Sequence, residues 1–105
     1  MKLISRQELK EKIDSQADVK LVMTMHERAF AQAHIPSSMN IYRLEDALEA
    51  LNPEDEIVVY CSHEVCLASI TAYRLLDHHG YGNVRRYAGG LTDWAAAGYP
   101  LVGQL

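Results

Sequence analysis

Ile57-Val58-Val59-Tyr60-Cys61-Ser62-His63-Glu64-Val65-Cys66-Leu67-Ala68-Ser69 is the stretch that decides how this chain folds. Its first four residues are apolar without interruption and largely β-branched, with polar segments on either side. That pattern predicts a central strand of a parallel sheet, buried on both faces. Cys61 falls at the carboxyl end of the strand, where open parallel sheets gather their ligands. The six residues from Cys61 to Cys66 then form a short loop that leads into a helix over Leu67 to His79, with Gly80 as its stop.

Outward from this centre, strand-like and helix-like patterns alternate. Ser5-Arg6-Gln7-Glu8 is a capping box that opens a short helix, with Leu9 and Ile13 on one face. Val19 to Thr24 reads as a buried strand. Ala29 to Ala33 adds a turn of helix before His34-Ile35-Pro36, where the proline forces extended backbone. Leu44, Leu48 and Leu51 share a helical stripe that ends at Asn52-Pro53. Asn83-Val84-Arg85-Arg86-Tyr87 offers another strand, Gly89-Gly90 a tight turn, and Leu91 to Ala97 a last helix. This alternation predicts a single α/β domain over residues 1–105, with a largely parallel sheet and right-handed crossovers.

Composition sets the outer limits. The chain has 105 residues, 49% of them apolar, enough for one core and too few for two domains. Its 10 basic and 14 acidic residues leave a net charge of −4, which argues against nucleic acid and anionic membranes as partners. No apolar run approaches the ~20 residues of a membrane span. The opening residues Met1 to Glu8 turn polar too soon for a signal peptide, so a soluble, cytoplasmic protein is expected. Two cysteines do not make a disulfide framework.

The chemistry centres on Cys61. Successive backbone amides of the loop, with the positive end of the following helix dipole, stabilise a thiolate or another anion. A cysteine in that setting has a depressed pKa and is nucleophilic at neutral pH. The competing reading is an inert buried cysteine, since free cysteine is among the most buried residue types.

At this level the sequence resembles the rhodanese homology family of single-domain sulfurtransferases, over roughly Ile4 to Val102. Ser5-Arg6-Gln7-Glu8-Leu9 looks like that family's opening helix, and Ala33-His34-Ile35-Pro36-Ser37-Ser38-Met39-Asn40-Ile41 is similar to its Gly-His-Ile-Pro-Gly-Ala segment. Val58-Val59-Tyr60-Cys61 matches the strand that ends in the active-site cysteine. Gly80-Tyr81-Gly82-Asn83-Val84 and Tyr87-Ala88-Gly89-Gly90-Leu91-Thr92-Asp93-Trp94 match the C-terminal signature. The resemblance implies a sheet of about five mostly parallel strands, flanked by helices on both faces. It also implies that Cys61 accepts sulfane sulfur as a persulfide and passes it to a thiol, cyanide or a protein acceptor, with no cofactor or metal. The amides of Ser62, His63, Glu64, Val65, Cys66 and Leu67 would then hold the transferred sulfur.

Three departures from the family pattern bear on the substrate. The family loop often reads Cys-x-x-Gly-x-Arg, whereas Glu64 and Cys66 stand at the Gly and Arg positions. The loop thus carries no cation, and Glu64 repels a dianion such as thiosulfate. Met23-Thr24-Met25 replaces an Asp-x-Arg and makes the expected cleft wall more apolar. Ala33 replaces the glycine before His34. A persulfide or protein donor is therefore expected to outperform thiosulfate.

Cys66 has two open roles. It either resolves a Cys61 persulfide or sulfenate through an intraloop disulfide, or it is a helix-start cysteine packed against Ile70 or a neighbouring strand. Cysteine phosphatases need an arginine six residues after the nucleophile; Leu67 stands there, which argues against dephosphorylation. Two cysteines and the mid-loop His63 are too few for a metal site. His34 is expected to make a structural hydrogen bond, His78 and His79 to complement a helix dipole, Tyr60 to pack in the core, Trp94 to sit in the core or as a lid over the sheet edge, and Arg85 and Arg86 to form a solvated strand end that acidic partner proteins could use. Two rivals to catalysis remain: a weakly active or noncatalytic binding module, and a redox sensor built on Cys61 and Cys66.

Overall fold

Side chains alternate across a strand, so each buried strand must supply two cores. In a computed structural model describing residues 1–103, the strands β1 (Val19–Met23), β2 (Met39–Asn40), β3 (Glu56–Tyr60) and β4 (Val84–Arg86) form one parallel sheet in the order β2-β1-β3-β4. β1 and β3 sit in its middle, with Leu21 opposite Val58, Val22 opposite Val59 and Met23 opposite Tyr60. Leu21, Met23, Val58 and Tyr60 project into one core, which α1 (Arg6–Asp14), α2 (Glu27–Gln32) and α5 (Gly90–Ala96) close with Leu9, Phe30 and Trp94. Val22, Ile57, Val59 and Val84 project into the other, closed by Ala47 of α3 (Leu44–Ala50) and Leu76 of α4 (Leu67–His78). Ile57, Val58, Val59 and Tyr60 are all 0% exposed, as expected for a strand covered on both faces. Each such aliphatic side chain contributes roughly 1.5–3 kcal/mol of burial free energy.

The helices begin and end close to the expected positions. α4 stops at His78, and Gly80 takes the left-handed conformation (φ +87°) that a side chain would resist. Ser5 caps α1, its Oγ accepting from the Glu8 amide at 3.1 Å. The Glu8 carboxylate, expected to complete the capping box, instead accepts from Arg85 Nη1 at 2.9 Å. Tyr60 is a core residue, as expected, and of the two places open to Trp94 it takes the core rather than a lid over the sheet edge.

The sheet has four strands, one fewer than the five expected. The fifth place, beside β4, is held by Lys2 to Ile4. The Arg86 amide donates to the Lys2 carbonyl (2.9 Å) and the Ile4 amide to the Arg86 carbonyl (3.1 Å), giving one parallel bridge at Leu3. The ladder stops there because Ser5 is already committed to capping α1. β2 has no counterpart in the sequence reading, since two residues are too few to carry a period. Among the described residues, no helix is long and apolar enough to cross a membrane.

Candidate active site

Cys61 is the first residue after β3, and its side chain is 1% exposed. The loop backbone is held from the α5 side: the Leu91 amide donates to the Cys61 carbonyl (3.0 Å) and the Thr92 amide to the Ser62 carbonyl (2.9 Å). Gly90 makes this approach feasible. It has φ +62°, and a Cβ there would run into the Cys61 carbonyl oxygen. The Gly89-Gly90 turn therefore also seats α5 against the cysteine loop.

The loop ends at Cys66, the N-cap of α4. The Cys66 amide donates to the His63 carbonyl at 3.2 Å, closing the turn. The two Cα atoms lie 6.5 Å apart, and Cys61 and Cys66 are joined by a disulfide. Of the two roles open to Cys66, the structure therefore has it paired with the nucleophile candidate. His63, Glu64, Val65 and Leu67 are exposed, and Ser62 is half-buried.

Beneath the loop lies a group misread from the sequence. Arg86 is not a solvated strand end. It is 6% exposed, donating from Nε to Ser69 Oγ (2.9 Å) and from Nη2 to the Glu64 carbonyl (2.7 Å). Ser69 is itself buried on the inner side of α4, with its Oγ 3.4 Å from Cys61 Sγ. The alternation of β4 carried the signal. Arg86 is two residues from Val84 and so belongs to the same inward face. Arg85 is not free either; its guanidinium binds Glu8 and Glu56 at 2.9 and 3.1 Å.

A family model described as "Rhodanese-like domain" matches residues 5–97. The chain belongs to the rhodanese-like domain family. A curated protein called "Sulfurtransferase" from Allochromatium vinosum is 27% identical over 101 residues, covering 94% of this chain and 92% of that one. Among solved structures, a Bacillus halodurans protein superposes with a TM-score of 0.90 at 22% identity, over 99% of this chain and 78% of its own. A human single-domain sulfurtransferase gives 0.75 at 23% identity, over 91% and 96%. A thiosulfate sulfurtransferase from Pseudomonas aeruginosa gives 0.82 at 18% identity; this chain matches over its whole length but spans 21% of that one.

Other parts of this rhodanese-like domain refine the sequence reading. Met23 does not line a cleft: it is 0% exposed, in the core with Tyr60, and Met25 packs partly buried against that core. Thr24, between them, is the residue that faces a groove of about 480 Å³ between α3 and α4. Leu67 and Ala68 form the groove's margin next to the loop. His34 makes its expected structural bond, Nδ1 to the Phe30 carbonyl at 2.8 Å, and His79 binds the Leu75 carbonyl at 2.8 Å. Tyr60 does more than fill space. Its hydroxyl oxygen accepts from the Ile35 amide (3.0 Å) and lies 2.9 Å from Ser38 Oγ. Burial pushes its pKa above the ordinary value, against the pull of those two bonds. Tyr87 is pushed up further, first by burial and then by Asp93, to which its hydroxyl donates at 2.5 Å. Arg6 holds the other Asp93 oxygen at 3.0 Å, fixing α1 to α5 behind the loop.

Proposed function

We propose that this rhodanese-like domain is a sulfurtransferase with Cys61 as its sulfur carrier. The observation that carries this reading is the position of Cys61 at the carboxyl end of the central strand, on a short loop leading into α4. Family membership and a relative named as a sulfurtransferase support it. The Cys61 thiolate attacks the outer sulfur of a persulfide donor; the donor's S–S bond breaks and its thiolate leaves, giving a Cys61 persulfide. A thiol, cyanide or partner cysteine then attacks that outer sulfur and regenerates the Cys61 thiolate. Neither half-reaction calls on a metal or organic cofactor. The exposed loop surface presents Glu64 between His63 and Val65, while the Arg86 cation lies buried beneath it. A dianion approaching from solvent meets the carboxylate first, so a persulfide or protein donor is favoured over thiosulfate.

The disulfide favours a second outcome for the same intermediate. The Cys66 thiolate attacks Cys61 Sγ of the persulfide, the Cys61–Cys66 bond forms, and hydrosulfide leaves. The sulfane sulfur is reduced and the two cysteines are oxidised; an external dithiol resets them.

Intact mass of the reduced protein after exposure to glutathione persulfide, and separately to thiosulfate, tests both outcomes. Gain of one sulfur that is absent in Cys61→Ser and is discharged by added thiol is expected, with the persulfide the better donor. Accumulation in Cys66→Ser but hydrosulfide release in wild type selects the second outcome. No sulfur gain in any form, with Cys61 still open to alkylation, would leave a binding module or a redox sensor.

A further inference from the structure

Among the described residues, Arg86 is a buried cation without a counter-ion. Its guanidinium binds a hydroxyl and a backbone carbonyl, both neutral. Among the described residues no carboxylate pairs with it, although Arg6 and Arg85 both have acidic partners. A buried charge left in this condition is costly, and an anion brought next to it is stabilised. The neighbour that can become anionic is Cys61, one hydroxyl away.

We propose that Arg86 is the positioning residue that holds Cys61 sulfur in its anionic form, acting through Ser69. Arginine only donates hydrogen bonds, so Ser69 Oγ must accept from Nε. The Ser69 proton is then free to point at Cys61 Sγ, 3.4 Å away. A hydroxyl already bonded to a cation is a stronger donor, which strengthens its hold on a thiolate or a persulfide anion. The second bond, to the Glu64 carbonyl, fixes the loop over the same guanidinium. β4 thus supplies through space the cation absent from the loop sequence. Other titratable groups lie elsewhere: His63 and Glu64 are exposed on the loop, α4 has no acidic residue in its first turn, and Asp93 of α5 is engaged by Arg6 and Tyr87.

The inference rests on Cys61 as the reactive thiol, but its test needs no sulfur donor. In a Cys66→Ser background Cys61 is the one remaining cysteine, so the pH profile of iodoacetamide alkylation reports it alone. Arg86→Met is expected to move the midpoint upward and slow alkylation at pH 7 about tenfold, the size of effect an opposite charge near a titrating group produces. Ser69→Ala is expected to move it the same way by less, and Arg86→Lys to keep it near the parent value. Circular dichroism checks the fold of each. An unchanged midpoint in folded Arg86→Met overturns the proposal, and so does an Arg86→Lys midpoint displaced as far as that of Arg86→Met. Should Arg86→Met fail to fold, an unchanged midpoint in Ser69→Ala overturns it. Sulfur loading measured on the same samples separates the two claims: a displaced midpoint without loading refutes the transferase and leaves the Arg86 role standing.

Discussion

Gly90 and Cys61 meet backbone to backbone: the turn that opens α5 lies directly against the carbonyl of the proposed sulfur carrier. A strand-to-helix turn whose Gly90 is 29 positions away is thereby part of the cysteine's setting.

Gly90→Ala should be severe. A side chain at φ +62° is strained, and its Cβ would displace the Cys61 carbonyl. Strain and overpacking together should cost about 2–4 kcal/mol. Gly82→Ala, where a Cβ would meet nothing, should cost less than about 0.5 kcal/mol. Urea unfolding of the two variants measures the contrast, and equal losses would contradict it.

Cys66→Ser should leave a folded protein that forms no intraloop disulfide. Mildly oxidised wild type should lose two hydrogens in mass, and the variant none. If wild type keeps both thiols under the same treatment, the pair does not act as a redox couple.

Tyr60→Phe removes the acceptor of the Ile35 amide, in a residue that is 0% exposed. A buried donor left without a partner costs about 1–3 kcal/mol. Chemical denaturation should show that loss. A midpoint equal to wild type would mean that the amide finds another acceptor.

Glu56 binds Lys12 at 2.9 Å and Arg85 at 3.1 Å. The hydrogen bond from Lys12 leads in holding its pKa below the ordinary 4.5, with burial opposing and Arg85 assisting. A depressed folded-state pKa gives stability that is present above the unfolded value and lost as pH falls through the folded one. Glu56→Gln should thus destabilise by about 0.5–1 kcal/mol at pH 7. The difference from wild type should shrink as pH falls below 4.5 and through the lowered folded-state value, which thermal melts across a series of acidic pH values can check.

The central strand, the cysteine loop and α4 were legible because each is contiguous: a β-branched run, a short polar break, then a helical period. β1 and β3 were legible as buried strands from their apolar runs, whereas which residues face which core is set by the packed sheet. Arg86 was not legible because two adjacent arginines at a strand end read as solvated, and its partners Ser69 and Glu64 come from a different element. Even so, its two-residue offset from Val84, and the seven-residue spacing of Ser69 from Leu76 that puts both on one side of α4, were present in the sequence. The pairing of Cys66 needed the curvature of the loop, which spacing does not define. Met23 was placed at a cleft by analogy with a charged residue, whereas an apolar side chain there turns into the core.

The sheet margins have a bearing on how this protein survives in a crowded solution. One margin is β2, two residues long, and the other is the single bridge that Leu3 makes along β4. Exposed edges are where strands from other molecules add on, and short or covered edges deny them a template. Lys2 to Ile4 therefore act as a guard rail. Without them β4 would offer its outward amides and carbonyls to any passing strand, and self-association should follow at concentrations the intact chain tolerates.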